Sequence, residues 1–87
     1  MFPKPSQTST PFIAPSDRRL KKDVVLVGKS PSGISVYEFS YIDKPGRFRG
    51  AMAQDLIGTR HDRAVISLGS NLAVDYGMID VNFVRLS

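Results

Sequence analysis

The 87-residue sequence contains no cysteine, no tryptophan and a single histidine, His61. The absence of cysteine excludes disulfides, thiolate metal sites and cysteine nucleophiles. One histidine with no second one to pair with gives a metal ion little to bind, so we expect no metal site and interpret His61 as a loop residue. No glycine-rich phosphate-binding loop is present, and we expect no cofactor. No apolar run approaches the roughly 18 residues of a membrane-spanning helix, and segment 1–15 lacks the apolar core of a signal peptide, which predicts a soluble, unsecreted protein.

The composition fits one small domain, because 41% of the residues are hydrophobic and 23% are charged. A core of this size is only marginally stabilising, so we expect an oligomer. Four of the six prolines lie within residues 1–15, which predicts an extended arm that precedes a folded domain over 16–87. Phe2, Phe12 and Ile13 are the apolar residues of this arm and would anchor it to a partner.

The pattern of the folded part predicts a small α+β domain of short antiparallel strands with one or two short helices. Ser16 is expected to cap a short helix that opens with Asp17. Three further features are predicted from β-branched runs, alternation and turn residues: a hairpin, a third strand followed by a short helix, and two last strands. In order, these cover Val24–Val27 with Ile34–Ile42, Phe48–Ala53 with Gln54–Ile57, and Ala64–Leu68 with Leu72–Val84.

Nucleic-acid binding has to be considered because the net charge is +4. Four basic residues lie within five positions, and aromatic residues that stack on bases follow them. The aromatics alternate at strand spacing, as core packing requires, so we favour a solvated basic helix face and a half-buried sheet and expect no nucleic-acid partner. The basic residues are Arg18, Arg19, Lys21 and Lys22, and the aromatics are Tyr37, Phe39, Tyr41 and Phe48.

Ser16 and Lys21 are the candidate catalytic residues, because a desolvated amine can take the proton of a serine hydroxyl and make it a nucleophile. On a helix, however, five positions rotate two side chains about 140° apart. The spacing alone therefore favours a helix cap at Ser16 and a surface charge at Lys21.

The stretch Ser16–Val24, SDRRLKKDV, resembles the opening motif of the peptidase S74 family. This family is the intramolecular chaperone domain at the C-terminal ends of phage tail spikes, tail fibres and endosialidases. The resemblance continues through residues 36–41, through GAMAQDL at 50–56 and through AVDY at 73–76. It covers residues 16–79.

The resemblance implies a domain that associates as a trimer, helps a fibrous partner chain to fold and then cuts itself away, with Ser16 as nucleophile and Lys21 as base. Only fifteen residues precede Ser16, and Gly77–Ser87 predicts a strand where such domains continue into a long helix. We therefore expect a virion-associated tail-fibre or tail-tip module whose arm attaches it to a neighbouring tail protein and whose cleavage is silent. An active self-cleaving assembly chaperone and a small basic nucleic-acid-binding module are the alternatives.

Overall fold

A computed structural model describes residues 12–87, so Phe2 and most of the predicted arm lie outside the described residues. The predicted α+β class is confirmed, because seven short strands form two antiparallel sheets beside one short helix and three 3-10 turns. The strands are β1 (Ile13–Pro15), β2 (Lys21–Lys29), β3 (Ser35–Tyr41), β4 (Phe48–Gly50), β5 (Val65–Leu68), β6 (Asn71–Asp75) and β7 (Val84–Arg85), and the helix α1 is Ala53–Leu56. None of the described helices is long and apolar enough to cross a membrane.

The larger sheet has the strand order β2-β3-β4-β7, and the smaller has the order β1-β6-β5. The predicted hairpin is confirmed as β2 and β3, whose register pairs Lys21 with Tyr41. A bulge interrupts this pairing just after Lys22, and Asp23 within it has a φ of 52°. Aspartate is one of the few non-glycine residues that adopt this left-handed conformation readily, which suits it to the bulge.

Two groups of buried side chains form the core. One is the aromatic cluster of Phe39, Tyr41 and Phe48, and the other is built from small and aliphatic residues around Ala51, Leu56, Val74 and Tyr76. Phe83 packs against both groups and so connects them. Ser16, Asp17 and Lys21 are the buried polar residues among those described.

Three details differ from the sequence-based expectations. The last three residues of the predicted arm form β1 and belong to the smaller sheet. The helix after Ser16 is a single 3-10 turn, Arg18–Leu20, and its cap is Asp17 rather than Ser16, because the Asp17 side chain accepts a hydrogen bond from the Arg19 backbone.

The prediction of one long last strand over Leu72–Val84, continued as a strand over Gly77–Ser87, is wrong. The Asp75 side chain accepts a hydrogen bond from the Gly77 backbone and caps a 3-10 turn, Tyr76–Met78, which ends β6. Only Val84–Arg85 return to a strand. Val81 is buried and Phe83 packs against the core.

A continuous run of exposed apolar side chains lies on β2, at an edge of the larger sheet. Four consecutive apolar side chains there, those of Val24–Val27, are between 40% and 58% exposed. An edge strand of this kind presents free backbone hydrogen-bonding groups beside apolar side chains, a surface suited to pairing with another chain.

Candidate active site

Ser16 follows directly on β1 and is completely buried. Its backbone is held from two sides, because its N–H donates to the Leu72 carbonyl at 3.1 Å and its carbonyl accepts from the Ala53 N–H at 2.9 Å. Its Oγ lies 3.0 Å from the Tyr76 hydroxyl oxygen. The serine is therefore fixed by β6 and by the start of α1, with its hydroxyl directed at one phenol.

Lys21, the first residue of β2, is also buried, with only 7% of its surface exposed. Its Nζ donates a hydrogen bond to the Ala51 carbonyl at 2.8 Å and lies 3.9 Å from the centre of the Phe39 ring. Burial lowers the pKa of Lys21 from its ordinary 10.5 to about 7. The sequence-based interpretation of Lys21 as a surface charge is therefore wrong.

Ala51 and Tyr76 connect the two candidates. The Tyr76 hydroxyl accepts a hydrogen bond from the Ala51 N–H at 2.9 Å and lies 3.3 Å from the Ala51 carbonyl oxygen, the same atom to which Lys21 donates. Between the described residues Ser16 and Lys21 there is no direct hydrogen bond. The structure thus brings the two to one location and joins them through the Tyr76 hydroxyl and the Ala51 backbone.

The rotation of about 140° expected for a helix does not apply here, because the chain between the two residues is not an α-helix. The 3-10 turn Arg18–Leu20 ends at Lys21, whose φ of −116° and ψ of 154° are those of extended backbone. Lys21 therefore begins a strand of the larger sheet, while Ser16 ends the segment that pairs with the smaller sheet.

Asp17 stabilises the 3-10 turn Arg18–Leu20. The sequence pattern identified it only as the residue that opens a helix. Its buried carboxylate accepts from the backbone N–H, Nε and Nη2 of Arg19, from Nε2 of Gln54 and from the backbone N–H of Leu72, at 2.7–3.0 Å. The Arg19 hydrogen bonds are the main reason that the pKa of Asp17 lies far below its usual range. The carboxylate is thus charged and fixes the chain next to Ser16.

Gly50 permits the approach of Tyr76 to Ala51. A Cβ atom at position 50 would lie 2.6 Å from the Tyr76 hydroxyl oxygen and 3.2 Å from a Phe83 ring carbon. Real Cβ atoms do not approach other atoms as closely as 2.6 Å. Glycine therefore leaves the space that the Tyr76 hydroxyl occupies. Its φ is not in the left-handed region, so backbone conformation is not the reason for glycine here.

Two tyrosine hydroxyls at the site were missed by sequence reasoning. Tyr76 was noted only as the end of the AVDY segment, and Tyr41 only as an alternating sheet residue. Tyr41 Oη donates a hydrogen bond of 2.5 Å to the carbonyl oxygen of Pro15, the residue before Ser16. The alternation of β3 predicts that Tyr41 faces the core, but it carries no signal of what its hydroxyl contacts.

The other sequence candidates lie elsewhere. Arg18 makes an ion pair with Asp55 at 3.5 Å, whereas Phe39 and Tyr41 are buried and present no open ring face to a base. His61 Nε2 lies 3.4 Å from the Ser32 hydroxyl in a turn. Within residues 12–87, no group of three or more metal-binding side chains is placed to hold a metal ion.

Comparison with protein-family models, with curated proteins and with solved structures finds no match to this chain. The side chains around Ser16 and Lys21 are therefore the main guide to its chemistry.

Proposed function

We propose that this domain is an assembly module of a phage tail fibre or tail tip that cuts its own chain at the Pro15–Ser16 bond. The observation that carries the cleavage is the placement of a buried lysine amine and a buried serine hydroxyl on either side of the Tyr76 hydroxyl and Ala51. The phage setting, with a place in the virion, is supported by the motif resemblance alone. This proposal departs from the expectation of silent cleavage because Lys21 is buried.

The bond before Ser16 is favoured by the geometry of serine itself. When Oγ adds to the carbonyl carbon of the preceding residue, the atoms that connect the two close a five-membered ring, which forms with little strain. Attack on the serine's own carbonyl would close a strained four-membered ring.

The first step needs a base. With a pKa of about 7, a large fraction of Lys21 is a neutral amine near neutral pH. Tyr76 Oη and Lys21 Nζ both lie at the Ala51 carbonyl oxygen. In the proposed step the phenol turns from that oxygen to the amine and gives its proton to Lys21 Nζ, while Tyr76 Oη takes the proton of Ser16. Burial raises the pKa of Tyr76, so the phenol acts as a relay and not as a store of negative charge.

In the same step Ser16 Oγ bonds to the Pro15 carbonyl carbon, and the carbonyl electron pair moves onto the Pro15 oxygen. Collapse of this adduct breaks the C–N bond, and the proton held by Lys21 neutralises the departing amine of Ser16. The product is an ester between Pro15 and the Ser16 side chain. Water hydrolyses the ester to a Pro15 carboxylate and restores the serine hydroxyl.

The cut segment stays attached to the domain after cleavage. β1 pairs with β6, the Phe12 carbonyl accepts from the Tyr76 N–H at 2.7 Å, and the Phe12 ring lies 5.6 Å from that of Phe83. Phe12 and Ile13 thus lie against the domain, and the expectation that they anchor the arm to a neighbouring tail protein stays a prediction. Because these contacts can keep the two pieces together after the cut, cleavage has to be measured under denaturing conditions.

The test is intact-mass analysis of the purified chain in denaturant after prolonged incubation. We expect a fragment that ends at Pro15 and a product that begins at Ser16. Ser16→Ala and Lys21→Met should abolish both, whereas Ser67→Ala and Lys22→Met, at exposed positions, should not. A wild-type chain that stays intact would contradict the proposed cleavage and leave the silent module as the better interpretation.

A further inference from the structure

The carbonyl group of the bond to be cut has an unusual partner. β1 is an edge strand of the smaller sheet, and the residues on either side of it, Phe12 and Ser16, are hydrogen-bonded to Tyr76 and Leu72. Successive residues of a strand point their backbone groups to opposite sides, so Pro15, which precedes Ser16 and pairs with Ala73, directs its carbonyl away from β6. The group that meets it there is the Tyr41 hydroxyl, at 2.5 Å.

From this contact we propose that Tyr41 is a catalytic residue that stabilises the negative charge on the Pro15 oxygen during self-cleavage. The inference rests on the cleavage proposed above for Ser16. When Ser16 Oγ bonds to the carbonyl carbon, the Pro15 oxygen becomes an oxyanion, and a donor already placed on that oxygen stabilises it without reorganisation. The tyrosine thus supplies the function that an oxyanion hole supplies in other acyl-transfer enzymes.

The surroundings keep the Tyr41 hydroxyl a donor and hold it in position. Its side chain is 2% exposed, and its ring makes edge contacts with Phe39 and Phe48 at centroid distances of 5.3 and 5.1 Å. Burial raises the pKa of Tyr41 above its usual range, so the hydroxyl keeps its proton across the pH range in which the site would work. In such a dry site a hydrogen bond to a developing charge is stronger than it is in water.

The hairpin register places the base and this donor together. Lys21 and Tyr41 are paired residues of β2 and β3. The same β-ladder position therefore supplies the amine that takes the serine proton and the hydroxyl that meets the carbonyl oxygen. Ser16 is directly attached to the carbonyl that Tyr41 contacts, because its backbone nitrogen is bonded to the Pro15 carbonyl carbon.

The experiment compares Tyr41→Phe with Tyr37→Phe in the full chain. Tyr37 is a matched control, because it lies on the same strand and its hydroxyl donates a similarly short hydrogen bond, 2.6 Å, to Asp55 and not to the cleaved carbonyl. We expect Tyr41→Phe to lower the plateau rate of cleavage at high pH about 100-fold, the loss typical of one oxyanion donor. The midpoint of the pH profile, which reports the Lys21 base, should not move.

A second replacement keeps the inference testable if Tyr41→Phe unfolds. Incorporation of 3-fluorotyrosine at position 41 retains nearly the same size and provides a more acidic phenol, hence a stronger donor, and should raise the plateau rate. A cleaving wild type whose plateau rate is changed by neither replacement would overturn the role of Tyr41 and leave the self-cleavage intact. A wild type that does not cleave would overturn both.

Discussion

Replacing Lys21 by methionine should make the folded domain more stable at neutral pH. Burial lowers the pKa of Lys21 from 10.5 to about 7, so folding at pH 7 requires a proton to leave an amine that holds it firmly in the unfolded chain. At about 1.4 kcal/mol for each pH unit between the two values, this costs about 5 kcal/mol. Methionine avoids this cost of deprotonation. It also loses the hydrogen bond from Lys21 to the Ala51 carbonyl, which contributes about 1–2 kcal/mol to stability. The expected net gain in the free energy of unfolding is about 3 kcal/mol.

The sign of the pH dependence follows from the same numbers. Between pH 7 and pH 10.5 the unfolded chain binds a proton at Lys21 that the folded chain does not, so stability rises with pH. The cost is present in full below the folded pKa and disappears above the unfolded one. In the parent protein Lys21 should therefore contribute a slope of about +1.4 kcal/mol per pH unit, and Lys21→Met should remove it.

The assay is urea unfolding at pH 7, 8 and 9, with every protein in a Ser16→Ala background so that cleavage cannot interfere. Lys22→Met is the control, because Lys22 is exposed and its replacement removes a charge from water instead of from the interior. The reasoning would be refuted by a Lys21→Met protein with the parent's pH slope, or by one that is less stable than its parent at pH 7.

Two further predictions concern Gly50 and the β2 edge. Gly50→Ala should displace the Tyr76 hydroxyl from Ala51 and slow cleavage at least tenfold while the domain stays folded, as measured by mass and circular dichroism; an unchanged rate would contradict the relay through Tyr76. The expected oligomer, with a trimer favoured, should form through β2, so that Leu26→Lys yields monomers in light scattering whereas Ile57→Lys, at a similarly exposed apolar residue outside the strand, does not. A wild-type monomer at high micromolar concentration would contradict the association.

The sheets could be predicted from the sequence because their signals are local. Val24–Val27 and the alternating residues of Ile34–Ile42 report a hairpin through side-chain periodicity alone, and β2 and β3 confirm it. The end of β6 could not be predicted in this way. Apolar residues continue past Asp75, and only the hydrogen bond from Gly77 to the Asp75 side chain turns the chain away from the strand.

The geometry of the candidate site was harder to predict, because its contacts join residues that are distant in the sequence. Ser16 and Lys21 were found by residue type, and their helical spacing argued against a site. What overrides the spacing is the 3-10 turn fixed by Asp17, whose carboxylate partners include Gln54 and Leu72. Gln54 and Leu72 are far from Ser16 in the sequence. A local sequence pattern around Ser16 therefore cannot predict the direction of the Lys21 side chain.

The same long-range construction makes the proposed cleavage depend on completed folding. In the unfolded chain Lys21 keeps its ordinary pKa of 10.5 and is almost entirely protonated near neutral pH, so no base is available. The amine becomes a base only when it is buried against Ala51, and Ser16 reaches Tyr76 only when β1 has paired with β6. The Pro15 carbonyl, in turn, meets Tyr41 only when the two sheets have come together. A chain that has not assembled its core therefore lacks the base, the relay and the oxyanion donor at once. A cut at Ser16 would then mark a domain that has already folded, which is the order of events that an assembly module requires.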